Sequence, residues 1–422
     1  VTASTTPGTA PGRTVGVAVV GLGGAVASTA VAGVELLRLG SGTTDGLPFA
    51  GLEGVAGLAR YEDLVFGGWD LCGDNLAKAA EVHGVLDYRQ MQAVSSALEG
   101  VVPWPAAGDE EFCRRVGGDN VVAVAPSGGS TGLRPVVDHL VADLERFRSS
   151  GGRDGGPLDA VVVVNLASTE RYPDLADPAF ATAAAFEAAV DAGHDGIPPA
   201  MVYAYAAVLT GCPFVNFTPS VGADVPALEE LARRHGVPVA GKDGKTGQTM
   251  MKTVLAPAFR SRALRVEGWY STNILGNRDG QALDDPASLA SKLGTKGGVL
   301  DGILGYPVED HVVRIDYYRP RGDAKEAWDN IDLVGFLGQR MQVKVDFLCR
   351  DSVLAAPLVL ELARFADLAQ QRGESGPLEQ LGYFFKSPHV PAGARVEHAL
   401  HEQERALLEW VRTGSASVAG AE

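Results

Sequence analysis

Short apolar runs alternating with amphipathic helical stretches predict an α/β protein, and three observations carry that reading. "TVGVAVV" (14–20), "DLVFGGW" (63–69), "AVVVVN" (160–165) and "PFVNF" (213–217) are short, mainly apolar runs of the buried parallel-strand type. Helical patterns such as "VVDHLVADLERFR" (136–148) and "VPALEELARRH" (225–235) separate them, as in a parallel sheet covered on both faces. The first run passes directly into a glycine turn, "GLGGAVAST" (21–29), which opens a helical stretch, the context of a Rossmann-type dinucleotide-binding unit.

The elements follow in order. Residues 1–12 are small and polar and read as a loose arm. Val15 to Val34 carries no charge and is long enough to span a bilayer, but Gly16, Gly21, Gly23 and Gly24 make a poor continuous helix, whereas strand, turn and helix explain the same residues. In that turn Gly21 bends the chain, Gly23 lets the backbone approach a pyrophosphate, and Ala27 is the third small residue; the plain alternative is a tight βα connection. Asp70 ends the second strand, the place for a carboxylate that accepts ribose hydroxyls. The long segment between the first helix and that strand has no local explanation. "SSGGRDGGP" (149–157) is a surface connection. After residue 250 the texture changes to longer strands of partial alternation, "RVEGWYSTNILG", "HVVRIDYYRP" and "RMQVKVDFLCRD", and after Val353 helices return. Three regions result: a Rossmann-like unit over 1–249, an α+β domain over 250–352, and C-terminal helices over 353–422 that pack back on the first.

A formal charge of −16 without a lysine-arginine run excludes nucleic acid and acidic membrane surfaces as main partners. Four widely spaced cysteines without a CxxC pair fit thiols in a reducing, cytoplasmic setting, and eight scattered histidines give no metal-binding spacing. "GKDGKTGQTMMK" (241–252) looks like a nucleotide phosphate loop, but Val239 stands where that loop needs glycine, so the turn is expected to hold a phosphate and not ATP.

Lys242, Lys245, Lys252, Lys292, Lys296, Lys325 and Lys386 lie among turn-forming residues in "GKDGKTGQ", "SKLGTKGG", "GDAK" and "FFKSP". Each alone reads as a solvated lysine. As a group, with Asn273, Asn277, Asp279 and Asp351 at strand ends, they suggest a site.

These blocks, in the order "GLGGAVAST", "DLVFGGWD", "NLASTERY", "GCPFVNFTPS", "GKDGKTGQTMMKTVLAP", "STNILGNRDG", "SKLGTK", "DHVVRIDYYRPRGDAK", "CRDSVLAAPLVLELARFADLA" and "FFKSP", resemble the inositol-phosphate synthases over most of residues 14–412, closer to the archaeal and eukaryotic branch. The resemblance implies an NAD-dependent enzyme that oxidises a hexose 6-phosphate at C5, enolises it at C6, closes the ring by aldol attack on C1 and returns the hydride. It places Lys292, Lys296, Lys325 and Lys386, with Asp243, in the catalytic set, where a desolvated cluster of cations would lower lysine pKa values. Lys245, Thr246, Gly247, Gln248 and Lys252, then Asn273, Leu275, Asn277 and Asp279, match the substrate and phosphate shell. Gly21, Gly23, Gly24, Ala25, Val26 and Asp70 match the cofactor turn. Ala167, Thr169, Asp323, Asp351 and Ser352 complete that shell, where a monovalent (ammonium or potassium) or divalent cation is also allowed. It further implies a homotetramer built through the second domain.

Three departures stand out. Lys242 and Arg350 each replace an acid of the family pattern, and Ala25-Val26 replace a polar pair. They bear on the choice of sugar: glucose 6-phosphate leads, and fructose 6-phosphate closing to a five-membered carbocycle is the alternative. A plain NAD dehydrogenase would not need lysines in four motifs, and a cofactor-binding scaffold without activity would have no use for them.

Overall fold

The structure, a computed structural model, describes residues 13–52, 55–113, 117–122, 132–276, 298–391 and 393–414. Its first part begins with β1 (Val15–Val20), α1 (Ala25–Arg38), β2 (Leu64–Asp70), α2 (Leu76–His83), α3 (Tyr88–Glu99) and β3 (Trp104–Pro105). The one-turn α4 (Glu110–Cys113), α5 (Arg134–Ser150), β4 (Ala160–Asn165), α6 (Ala183–Ala192), α7 (Pro199–Leu209), β5 (Phe214–Asn216), α8 (Pro226–His235) and β6 (Pro238–Gly241) follow. The strands join in one parallel sheet, completed by β11 (Gly376–Pro377), in the order β11-β6-β5-β4-β1-β2-β3. This is the Rossmann-type arrangement expected from the glycine turn.

Mainly apolar strands serve two helical layers because successive side chains point to opposite faces. Val15, Val17 and Val19 face a core shared with α1 and the C-terminal region, while Ala18 and Val20 face a core built with α5, α6, α7 and α8. Val162 and Val164 of β4 face the first of these cores, and Val161 and Val163 the second.

The chain then enters α9 (Gly247–Ser261) and a second sheet: β7 (Arg265–Leu275), α10 (Gly298–Leu304), β8 (Asp310–Tyr317), β9 (Ala324–Val334) and β10 (Arg340–Arg350). Its order is β10-β9-β7-β8, with β7 and β8 parallel and the other pairs antiparallel. Ala256 and Phe259 of α9 and Leu300 and Ile303 of α10 cover one face, meeting Trp269 and Ile331. The other face leaves Val312, Trp328 and Leu348 exposed. Strand β9, "AKEAWDNIDLV", escaped the sequence reading because carboxylates and Asn330 interrupt its apolar alternation.

Helix α11 (Asp351–Gln371) packs against α1 and the first sheet, and α12 (Leu400–Thr413) packs beside it through Trp410 and Leu407. The unexplained segment 39–63 has its partners there. Phe49 meets Phe365, Tyr383 and Phe384 edge-on. The Tyr61 hydroxyl donates to Glu361 Oε1 at 2.5 Å, and Arg364 joins Glu361 Oε2 at 2.6 Å and the Ala59 carbonyl at 2.7 Å. Those partners lie about three hundred residues away, so no local reading could find them. Among the described residues no helix is long and apolar enough to cross a membrane.

Candidate active site at the meeting of two sheets

The first wall of the site is the turn after β1. Gly21 takes φ +86, and the N–H groups of Gly21 and Leu22 donate to the Trp69 carbonyl at 2.8 and 3.0 Å. The Gly23 N–H donates to Asp70 Oδ2 at 2.8 Å, and a Cβ on Gly23 would sit 3.1 Å from that oxygen. A side chain there would have to push the strand-end carboxylate back by a few tenths of an ångström. Helix α1 then starts with no side-chain cap and no acid in its first turn, so its first N–H groups and its positive dipole end suit an anion. Gly21, Gly24, Ala25, Val26, Asp70, Ala167 and Thr169 line one cleft. A bare helix start, a turn that crowds a Cβ and a carboxylate at the end of the second strand fit a dinucleotide.

The opposite wall comes from the far parts of the chain. Residues 241–246 run against 384–389: Lys242 N–H donates to the Ser387 carbonyl at 2.7 Å, Lys386 N–H to the Asp243 carbonyl at 2.7 Å, and Lys245 N–H to the Phe384 carbonyl at 2.7 Å. Asp243 adopts φ +59, a strained state for a non-glycine residue that such a lattice can hold. Its carboxylate receives the Lys386 ammonium at 2.6 Å, both side chains being buried. Lys325, second residue of β9, pairs in register with Leu275 and Cys349 and points its ammonium at Asp351, 3.4 Å from each oxygen. The Thr246 hydroxyl donates to Asp351 Oδ1 at 3.0 Å. Asp323, Asp351, Lys325 and Lys386 face the same cleft as the glycine turn, and the Ser352 hydroxyl orients Asp323 by donating to its Oδ2 at 2.6 Å.

A smaller pocket adjoins this cleft and shares Thr246, Lys325 and Lys386 with it. Gln248, Thr249, Asn273, Leu275 and Ile315 complete its wall. Asn273 Nδ2 donates to Gln248 Oε1 at 2.6 Å, fixing both amides. Helix α9 starts here at Gly247, φ +52, while its N-cap Thr246 spends its hydroxyl on Asp351 instead of capping. This leaves a second helix start open to a phosphate.

Other expected residues lie elsewhere. The Lys245 ammonium donates to Gln403 Oε1 and lies 5.8 Å from the Tyr383 ring centre; burial pushes its pKa down to about 7. Lys252 Nζ lies 2.7 Å from His311 Nε2 beside Trp269, and burial lowers it to about 8. These depressions come from loss of water and not from mutual repulsion of lysines in the cleft. Lys242 turns to Asp224 at 2.6 Å; burial lowers its pKa, but the carboxylate more than restores it, so the ammonium stays above its ordinary value. The Lys242 departure therefore makes a structural ion pair. Arg350 also reaches away, to the carbonyls of Gly84 and Val85. Lys292, Lys296, Asn277 and Asp279 lie outside the described residues. Sequence reasoning missed His83, Thr218 and Glu170 in the cleft. Thr218 follows a strand end and was findable by that rule; Glu170, whose carboxyl burial pushes up to about 8, carries no pattern signal.

A sequence model described as myo-inositol-1-phosphate synthase matches residues 35–412. The chain belongs to that family. An inositol-3-phosphate synthase of Bacteroides thetaiotaomicron is 41% identical over 422 residues, covering 96% of both chains. One from Trypanosoma brucei brucei is 33% identical, covering 86% of this chain and 73% of that one. Among solved structures, the inositol-3-phosphate synthase of Caenorhabditis elegans superposes with a TM-score of 0.84 at 28% identity, covering 95% of this chain and 85% of the other. In this member of the myo-inositol-1-phosphate synthase family, the match takes in the second sheet, the strands of the first sheet after β1, and the returning C-terminal helices. The described parts of the cleft that precede residue 35 are β1, the glycine turn and the start of α1.

Proposed function

We propose that the chain catalyses the NAD-dependent, redox-neutral cyclisation of glucose 6-phosphate to a myo-inositol phosphate. The observation that carries this is the convergence of the glycine turn with Lys325 and Lys386 on one cleft that continues into a polar pocket. Bound NAD supplies a hydride acceptor and, later, the same hydride as donor. The protein residues supply the rest. The start of α9, with Gln248 and Asn273, suits the phosphate. The Lys386–Asp243 pair is built to take up and return a proton at the sugar, because its two groups are 2.6 Å apart and shielded from water. Lys325, held by Asp351, presents a cation to oxygens that become negative during enolisation and ring closure. Lys292 and Lys296 complete the catalytic set by resemblance.

Asp323 Oδ1 is buried with no hydrogen-bond partner among the described residues, and it is where we place a monovalent or divalent cation. The exposed apolar face of the second sheet suits burial between copies in a homotetramer. The four free thiols agree with a reducing cytoplasm. Incubation with glucose 6-phosphate and NAD, followed by NMR of the product, tests the reading: a cyclitol phosphate without net NADH is expected. A linear oxidised sugar with one NADH per turnover would overturn it.

A further inference from the structure

The lysine-bearing sheet and the cofactor turn belong to different parts of the fold, and Arg350 joins them beside the cleft. It is the last residue of β10, opposite Ala324, and the N-cap of α11. Its guanidinium reaches across to the first part of the fold: Nη2 donates to the Gly84 carbonyl at 2.7 Å and Nη1 to the Val85 carbonyl at 2.9 Å, while Nε stays 3.7 Å from Asp323 Oδ2. Gly84 is the left-handed cap of α2, so the cation sits at the negative end of that helix, where carbonyls lack helical partners. The last residue of α2, His83, contacts the Gly23 carbonyl through Nε2 at 2.8 Å. Gly23 is in turn tied to Asp70. A continuous series of polar contacts therefore runs from Asp323, in the wall that carries Lys325, through Arg350 and the end of α2, to the turn that receives the cofactor pyrophosphate.

We propose that Arg350 is a positioning residue that sets the spacing between the glycine turn and the lysine-bearing sheet, and so retains NAD between the oxidation and the reduction. This rests on the cyclase reading above. The bland reading is a surface arginine with two adventitious bonds, and half of its side chain is indeed exposed (46%). Because it is so exposed, its contribution to global stability is small, and its effect belongs in cofactor retention. A redox-neutral enzyme is sensitive to that property. If the reduced cofactor escapes after the first step, the sugar remains oxidised and no hydride is left to return, so a loosened cleft reads out as free NADH.

The test compares the full-length protein with Arg350→Met and Arg350→Lys, measuring NAD affinity by calorimetry, cyclitol and free NADH per turnover, and thermal unfolding. Arg350→Met is expected to weaken NAD binding about tenfold, to release measurable NADH, and to lower kcat at saturating NAD far less than it raises the KM for NAD. Its unfolding temperature should move by no more than about 2 °C. Arg350→Lys, whose ammonium can still reach one carbonyl, should recover part of the affinity. An NAD affinity of Arg350→Met within about twofold of the parent overturns the proposal, as does a loss that tracks unfolding temperature equally in both variants. The two readings fail separately: a parent protein that binds NAD but forms no cyclitol sinks the cyclase reading, while a parent that cyclises beside an Arg350→Met of unchanged affinity sinks only this one.

Discussion

Replacing Lys386 by Met separates chemistry from folding in this site. The ammonium lies 2.6 Å from Asp243, with side-chain exposures of 8% and 4%. Breaking a buried ion pair from one side costs roughly 3–5 kcal/mol of stability, because a desolvated charge loses its counter-charge. Loss of a positioned acid-base group costs about 10²–10⁴ in rate. Lys386→Met should therefore lower both the unfolding midpoint and turnover, the latter by at least about a hundredfold, while leaving NAD affinity within a few fold, since the glycine turn does not touch this pair. The double variant Lys386→Met/Asp243→Asn removes both charges and should regain most of the lost stability with no regain of activity. Denaturant titration, calorimetry with NAD, and NMR quantification of cyclitol phosphate give the three readouts. Turnover of the single variant above about a tenth of the parent value, or recovery of turnover in the double variant, would refute the assignment of Lys386 as the proton carrier.

Gly23→Ala places a Cβ 3.1 Å from Asp70 Oδ2 and should weaken NAD binding at least about tenfold by calorimetry, with little loss of helical circular dichroism. Glu361→Leu strips the carboxylate from Arg364, which is 1% exposed, and should cost about 3–5 kcal/mol in urea unfolding; a loss under about 1 kcal/mol would mean segment 39–63 is not anchored there. Lys245, at about 7 in the fold against 10.5 when solvated, penalises folding: as pH falls from 10.5 the unfolded chain takes up the proton first, so the penalty grows down to about pH 7 and is constant below. Lys245→Met removes that term. Its unfolding temperature relative to the parent should be higher at about pH 7 than at about pH 10, and a difference independent of pH would contradict the burial argument.

What could be read locally was the part whose physics is local. The run Val15–Val20, the turn at Gly21–Gly24 and the helix after it announce themselves because strand, left-handed glycine and helix start are neighbours in sequence. Asp70 was placed by topology alone, at the end of the next strand. The lysines were legible only as a set, through ordered blocks resembling a family, because their convergence depends on register: Lys325 opposite Leu275, and 241–246 against 384–389. Nothing near Lys245 or Lys252 foretold that one ammonium would turn to α12 and the other to His311. Nor could "CRDS" show that Arg350 would bridge to α2, since its acceptors are backbone carbonyls and have no side-chain signature.

The architecture also constrains how the site comes into being. Asp243, φ +59, is held from one side by the Thr218 carbonyl and from the other by the Lys386 N–H, and Lys386 follows the whole second sheet in the chain. Lys325 needs β7 and β10 on either side before it can face Asp351. The glycine turn, by contrast, rests on β1, β2, the Asp70 carboxylate and His83 at the end of α2, all within the first hundred residues. Cofactor binding and ring closure therefore rest on parts of very different contact range. Damage to the late-docking C-terminal segment should take away cyclisation first and leave the dinucleotide turn intact, a separation that a site built within one sheet would not permit.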